Sequence, residues 1–329
     1  MYRNVVYFFL SVLLLLVSCG KEEIKEFPEM YKLDLPWGFP QPIIPEDNPL
    51  TKDRVKLGEM LFFDPILSRD STVSCASCHL PEKKFTDALP KSIGIHGRLS
   101  MRNSPTLINT AYRTSFFKDG GVPTLELQAL APISDSAEMD FSVPEVIERL
   151  KKIEKYVTLS KKAFGREPDP FVLTRSLAAF QRTLIGGNSR YDQYLQSGDE
   201  QILSKMEKKG MLIFFGEANC GSCHTGFLLT DQKFHNNGLY DVYADNGRMR
   251  ITLNPDDEGR FVTPSLRNVS LTAPYMHDGS LATLEEVVNH YNSGGSGHVN
   301  QDSRIRPLNL SEEDKSALVK FLLVLDDGV

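Results

Sequence analysis

Cysteine is scarce in this 329-residue chain. There are five, and four of them fall into two short motifs, so no pair is left over for a structural disulfide. Tryptophan is scarcer still, with Trp37 alone. Basic charge is in deficit: 37 Lys and Arg against 43 Asp and Glu leave a formal charge of −6. That deficit argues against a nucleic-acid partner, which needs a basic face to meet phosphate, and suits a basic protein partner. Long apolar runs are also missing. The one at residues 5–17 is too short to span a bilayer. No segment alternates apolar and polar residues strongly at the period of a half-buried strand, which argues against a sheet-dominated fold. The length and the 41% hydrophobic content leave room for two domains, each with its own core.

The 5–17 run follows Arg3, as in an export signal. It closes on Leu16-Val17-Ser18-Cys19, which resembles a bacterial lipoprotein processing box and makes Cys19 the expected lipidated first residue of the mature chain. The alternative is an ordinary signal peptide with an incidental cysteine. Removing residues 1–18 takes away one charge, Arg3, and moves the formal charge from −6 to −7. Gly20-Lys21-Glu22-Glu23 then resembles a surface-export signal of some bacterial lineages. The expected location is the periplasmic side of a membrane, held by the lipid, with cell-surface exposure as the alternative.

The other four cysteines stand in Cys75-Ala-Ser-Cys78-His79 and Cys220-Gly-Ser-Cys223-His224. Cys-x-x-Cys-His is the attachment signature of a c-type haem: two thioethers to the vinyl groups, and a His placed to ligate the iron from the proximal side. A zinc ribbon would put its second Cys pair about 15–20 residues after the first; here the motifs are 145 residues apart. A redox-active disulfide would sit in a βαβ unit, of which there is no sign. Two covalent haem c groups are therefore expected, with His79 and His224 as proximal ligands, and with them chemistry that needs two oxidising equivalents.

Five prolines within residues 20–48 exclude a helix and predict an extended strap, with Trp37 as a packing anchor. Asn48-Pro49 reads as the N-cap and first position of a helix that turns Val55, Met60 and Leu61 inward and ends near Asp64-Pro65. Ser142 and Glu145 form a capping box ahead of Val146, Ile147 and Leu150. Asp169-Pro170 opens a helix that runs to Gly186-Gly187, and a helix over about residues 202–215 leads into the second haem motif. Thr283 and Glu286 cap a helix over residues 284–291, and Ser311 starts a last one carrying Leu318, Phe321, Leu322 and Leu325. Long stretches rich in Gly, Asn and Asp lie between. The expected fold is mainly α and loop-rich, with two cytochrome c-like haem domains packed side by side: signal peptide 1–18, tether and Pro-rich strap 19–46, first haem domain 47–185, second haem domain 186–329. The two helix–CxxCH units form a pseudo-repeat with no shorter period.

Several stretches, in order, resemble one family. They are Leu57-Gly58-Glu59-Met60-Leu61-Phe62-Phe63-Asp64-Pro65, Ser92-Ile93-Gly94, Arg102-Asn103-Ser104-Pro105-Thr106, Asp119-Gly120, Thr124-Leu125-Glu126, Pro264-Ser265-Leu266-Arg267-Asn268, Ala273-Pro274-Tyr275-Met276-His277-Asp278-Gly279 and Leu284-Glu285-Glu286. Over about residues 45–325 the chain resembles the bacterial di-haem cytochrome c peroxidases and their relative, the methylamine-utilisation enzyme MauG. The resemblance places Gln128 and Glu138 where the family keeps a distal Gln and a catalytic Glu over the first haem. A carboxyl over an open iron face can move a proton between the two peroxide oxygens, and Gln128 can orient the peroxide. Without the family match both would read as exposed polar residues. His96 lies one residue from the position of a removable sixth ligand, in a loop that Gly94 and Gly97 would let swing; a surface His is the alternative. The family's inter-domain calcium ion maps to the Asn103 side chain and the Thr272 and Pro274 carbonyls, an all-oxygen set. His277 is expected near a haem propionate.

Two positions depart from the commonest pattern. Tyr291 stands where high-potential members carry a Met as sixth ligand of the second haem, with Met276 and Met249 as rivals. Met with His raises a haem potential, whereas a phenolate stabilises oxidised iron. Lys118 stands where the family usually places a Trp between the haems; a lysine cannot relay an electron hole, so either Phe117 takes the packing role or tunnelling between the haems is slower. The resemblance implies a peroxidase that reduces hydrogen peroxide with electrons from a small cytochrome c or copper protein, in a family whose members often form homodimers. The alternatives are a MauG-like oxidase acting on a protein substrate and a plain di-haem electron carrier.

Overall fold

A computed structural model describes residues 27–327. The export segment and the expected lipidation at Cys19 lie outside the described residues. The helices are α1 Lys52–Phe63, α2 Cys75–Cys78, α3 Leu125–Gln128, α4 Leu130–Ser134, α5 Val143–Lys151, α6 Glu154–Phe164, α7 Pro170–Gln181, α8 Arg190–Ser197, α9 Lys205–Phe215, α10 Met249–Thr252, α11 Leu284–Ser293 and α12 Glu312–Leu323. The only strands among the described residues are β1 Phe234–His235 and β2 Phe261–Val262, paired antiparallel. The rest is loop and 3-10 turn, so the chain is mainly α and loop-rich, as expected. Among the described residues no helix is long and apolar enough to cross a membrane.

Side-chain oxygens set most helix starts. Asp169 accepts from Val172 N ahead of α7, and Ser142 from Glu145 N ahead of α5. Reciprocal capping boxes open α9 (Ser204 with Glu207), α11 (Thr283 with Glu286) and α12 (Ser311 with Asp314). Four readings need correction. Thr51, not Asn48, caps α1; the buried Asn48 amide instead donates to Glu126 Oε1 and Arg175 O, both at 3.0 Å, tying the strap to α3 and α7. Met60 stays only partly buried, while Leu57 and Phe62 turn inward with Val55 and Leu61. α7 ends at Gln181, not at Gly186, whose backbone N–H and C=O are both bound by the Asn109 side chain. Trp37 is 54% exposed; the strap's anchor is Phe39, wedged between Tyr112 and Phe227 with the Arg267 guanidinium 4.7 Å over its ring.

The apolar side chains gather into two large clusters, one spanning Leu57 to Phe180 and the other Tyr191 to Leu325. Each is built on a helix pair in close contact at a glycine. A Cβ on Gly58 of α1 would lie 1.8 Å from Ser176 O and 2.9 Å from Phe180 Cβ on α7. A Cβ on Gly210 of α9 would lie 1.9 Å from Ala317 O and 2.9 Å from Phe321 Cβ on α12. Only glycine permits that approach.

The repeat runs further than the two haem motifs. Asn109 and Asn268, Phe117 and Met276, and Gly120 and Gly279 all adopt left-handed backbone, each pair 159 residues apart. The bridges Phe116–Val122 and Tyr275–Leu281, and the caps Thr124 and Thr283, keep the same spacing. α11 is therefore the counterpart of the α3–α4 segment, and Lys118 is the counterpart of His277.

Candidate active site

One turn of α2 places Cys75 and Cys78 on one side, and the His79 N–H closes on Cys75 O at 3.0 Å. In the second motif a 3-10 turn does the same, with His224 N 2.9 Å from Cys220 O. His79 Nδ1 lies 2.9 Å from Phe85 O, and His224 Nδ1 lies 3.1 Å from Leu229 O. Both carbonyls come from residues in left-handed backbone, Phe85 at φ 59° and Leu229 at φ 53°. A carbonyl can only accept, so each Nδ1 carries the proton and each Nε2 presents a lone pair for a metal. Burial pushes both imidazoles below their ordinary pKa and so favours the neutral, ligating form.

A cavity of about 350 Å³ opens at His224, lined by Cys220, Cys223, Val288, Tyr291 and Leu322. Arg113 also lines it; burial pulls this guanidinium down to about 10, and no carboxylate among the described residues pairs with it. An apolar slot with a buried cation, which donates to Phe117 O at 3.4 Å and lies over the Phe116 ring, fits a haem edge with its propionates. Asn237 Nδ2 stands at this cavity, 3.3 Å from both Tyr291 Oη and Met276 Sδ, so the two candidate sixth ligands share one clamp. Burial pushes the Tyr291 phenol up to about 12, against the Asn237 hydrogen bond. Met249, at the start of α10, is not part of the cavity wall.

On the first motif's side, Glu138 lies close enough for its charge to act on Cys75 and Cys78. Burial, helped by Asp135, pushes its carboxyl up to about 7. Its carbonyl accepts from Ile95 N at 2.8 Å, and a Cβ on Gly94 would lie 2.0 Å from Ala137 O, so the 94–97 loop is seated on the Glu138 segment. His96 itself faces outward, 52% exposed, with Nδ1 3.7 Å from Asp70 Oδ2. Gln128 is the partly buried last residue of α3. Its counterpart, 159 residues on, is Val287, one turn before Tyr291. The candidate distal side chains of the two halves thus lie on corresponding segments, one turn apart.

The expected calcium ligands do not fit an ion as they stand. Asn103 Nδ2 donates to Pro274 O at 2.8 Å, and Asn103 Oδ1 accepts from Lys118 Nζ. The same ammonium lies 3.3 Å from Met276 O and 3.4 Å from His277 O. Burial, and then Arg102, pull Lys118 down to about 7, while Asp278 and Asp245 act the other way. His277 stacks on Phe261 with ring centroids 4.0 Å apart, and burial pushes it down to about 4.

Sequence reasoning missed Asn237, the carbonyls of Phe85 and Leu229, and the Arg102–Asp245 pair, whose ion contact is 2.6 Å. Only the histidine carbonyls had a signal, the repetition of the motif itself.

Known proteins resemble this chain over most of its length. The sequence pattern described as di-haem cytochrome c peroxidase matches residues 52–201. The methylamine utilization protein MauG of Methylorubrum extorquens is 40% identical over 286 residues, 85% of this chain and 80% of that one. The cytochrome c551 peroxidase of Pseudomonas aeruginosa is 36% identical over 252 residues, 73% of this chain and 72% of that one. A crystal structure of a MauG-like protein associated with microbial copper homeostasis superposes with a TM-score of 0.84 at 36% identity, covering 91% of this chain and 96% of that one. With two haem attachment motifs whose histidines present an Nε2 lone pair, the chain belongs to the family of di-haem cytochrome c peroxidases and MauG-like oxidoreductases.

Proposed function

We propose that this protein reduces hydrogen peroxide to water, taking two electrons and two protons per peroxide, with a small cytochrome c or a copper protein as donor. The observation that carries this reading is Glu138, a buried carboxyl beside the first haem motif with its pKa raised to about 7. A carboxyl poised there can take a proton from one peroxide oxygen and return it to the other near neutral pH. Bound haem supplies the iron that receives peroxide and passes electrons to it. Gln128 orients the peroxide, and the second motif's half takes up electrons. His96 serves as the removable ligand, its loop hinged at Gly94 and Gly97. Peptide export with lipidation at Cys19 places the enzyme on the periplasmic side of a membrane, where it works as a homodimer.

A second reading is favoured by Tyr291, which stands with Met276 on the Asn237 clamp, and by the likeness to MauG and to a MauG-like protein. In it the oxidising equivalents are used on the aromatic side chains of a protein partner. The test is steady-state, peroxide-dependent oxidation of a reduced small cytochrome c by the holo-protein, with and without pre-reduction of the second haem. Rapid turnover supports the peroxidase, and its dependence on pre-reduction supports the His96 switch. No turnover with a persistent spectral change after peroxide supports the protein oxidase. No spectral change leaves an electron carrier.

A further inference from the structure

Three oxygens converge on the Lys118 ammonium. Asn103 Oδ1 comes from the first half, and the carbonyls of Met276 and His277, at 3.3 and 3.4 Å, come from the second. An ammonium carries three donors and no acceptor, so the acceptors match it in number. Met276 is held in left-handed backbone at φ 72°, which a non-glycine residue adopts only where its surroundings demand it. The charged groups facing Lys118 are mixed, with Arg102 and Arg113 opposed by Asp245 and Asp278. A buried ammonium persists only when such oxygens hold it.

We propose that the Lys118 ammonium is the resident cation of this inter-domain oxygen cluster and stands in for the calcium ion that the family resemblance implies. Calcium needs six to eight oxygens. Here Asn103 Oδ1 is engaged by a cation already in place, and Pro274 O is engaged by Asn103 Nδ2. The lysine thus joins the halves through a covalent arm on one and carbonyls on the other, without a metal. Its second role follows from Met276. The residue whose carbonyl it holds also directs Sδ to Asn237, which clamps Tyr291. Lys118 is therefore a positioning residue for the sixth-ligand side of the second haem. This holds for a peroxidase and for a protein oxidase alike.

The test uses the holo-protein with both haems and does not depend on turnover. The wild type is dialysed against EGTA, titrated with calcium chloride, and followed by elemental analysis and by electron paramagnetic resonance of the ferric haems. It should hold no stoichiometric calcium, and its spectra should not respond to EGTA or calcium. Lys118→Ala should shift the second-haem signal, and calcium should restore it with about one ion bound per chain. Lys118→Met, which fills the space without charge, should show the shift and resist rescue. A wild type that binds one calcium ion, whose removal changes the spectra, overturns the proposal. So do variants with unaltered spectra, or a shifted Lys118→Ala that takes up no calcium. If neither variant retains its haems, the wild-type titration decides alone.

Discussion

At the scale of single residues, environment decides what each group can do. Burial, helped by the charge of Asp135 three residues away, raises Glu138 to about 7. As a base Glu138 must be ionised to accept the peroxide proton. Its ionised fraction falls as pH drops through about 7, so the rate of reaction with peroxide should rise with pH across that range and level off above it. Glu138→Gln should lower the rate by about 10²–10⁴-fold while both haems remain attached. Stopped-flow spectroscopy across the pH range checks both; a flat wild-type profile assigns the proton transfer to another group. The shared Asn237 clamp gives a second prediction. If Tyr291 is the sixth ligand, Tyr291→Phe abolishes its ligation and changes the spectrum of the second haem outright, whereas Met276→Leu, which removes only the Sδ contact of Asn237, gives a smaller shift with the ligation kept. An absorption band of an iron–methionine bond in the wild type reverses the assignment. The haem cysteines and histidines were legible because their chemistry demands a fixed local spacing. Asn237 was not, since it meets Tyr291 from 54 residues away and no local pattern marks it.

Helices were legible where a side chain announced them. Thr283 with Glu286 marked α11, and Asp169-Pro170 marked the start of α7. α6 follows Ile153, which has no capping oxygen, and α8 has only 8 residues and buries a single apolar side chain, Tyr191, so it lacks the apolar stripe that marks α12. Both therefore escaped notice. The repeat in the loops escaped as well, because it conserves left-handed turns at Asn109 and Asn268 rather than a hydrophobic period. Helix packing makes its own prediction. A methyl group on Gly58 or Gly210 cannot fit beneath the facing carbonyl, so α1 must move off α7, or α9 off α12. Gly58→Ala and Gly210→Ala should each destabilise the holo-protein by about 1–3 kcal/mol, an overpacking cost that outweighs the gain of about 1 kcal/mol in helix propensity. Scanning calorimetry of the two variants would show it as a lowered Tm; an unchanged or raised Tm means the helix pair gives way freely.

For the molecule as a whole, two haem motifs announced two halves, and two apolar clusters follow. How the halves are joined was not legible, because each joint pairs residues distant in sequence. A bidentate carboxylate clamp across the middle is Arg102 on Asp245, with Nε 2.6 Å and Nη2 2.9 Å from the carboxylate, both side chains nearly closed to solvent. Arg102 also binds Asp119 of its own half at 2.8 Å. Removing Asp245 strips a buried guanidinium of its bidentate partner, which typically costs about 3–5 kcal/mol; Asp119 keeps the loss near the lower end. The loss falls on the joint rather than on either core. Asp245→Ala should therefore lower stability by about 3 kcal/mol and separate the unfolding of the halves, so that one calorimetric transition becomes two. Glu313→Ala, which breaks an exposed contact of Lys209 within the second half, should cost no more than about 1 kcal/mol and leave the shape of the transition unchanged. A single, merely shifted transition for Asp245→Ala would mean that the remaining contacts, Lys118 among them, suffice to keep the two halves one cooperative unit.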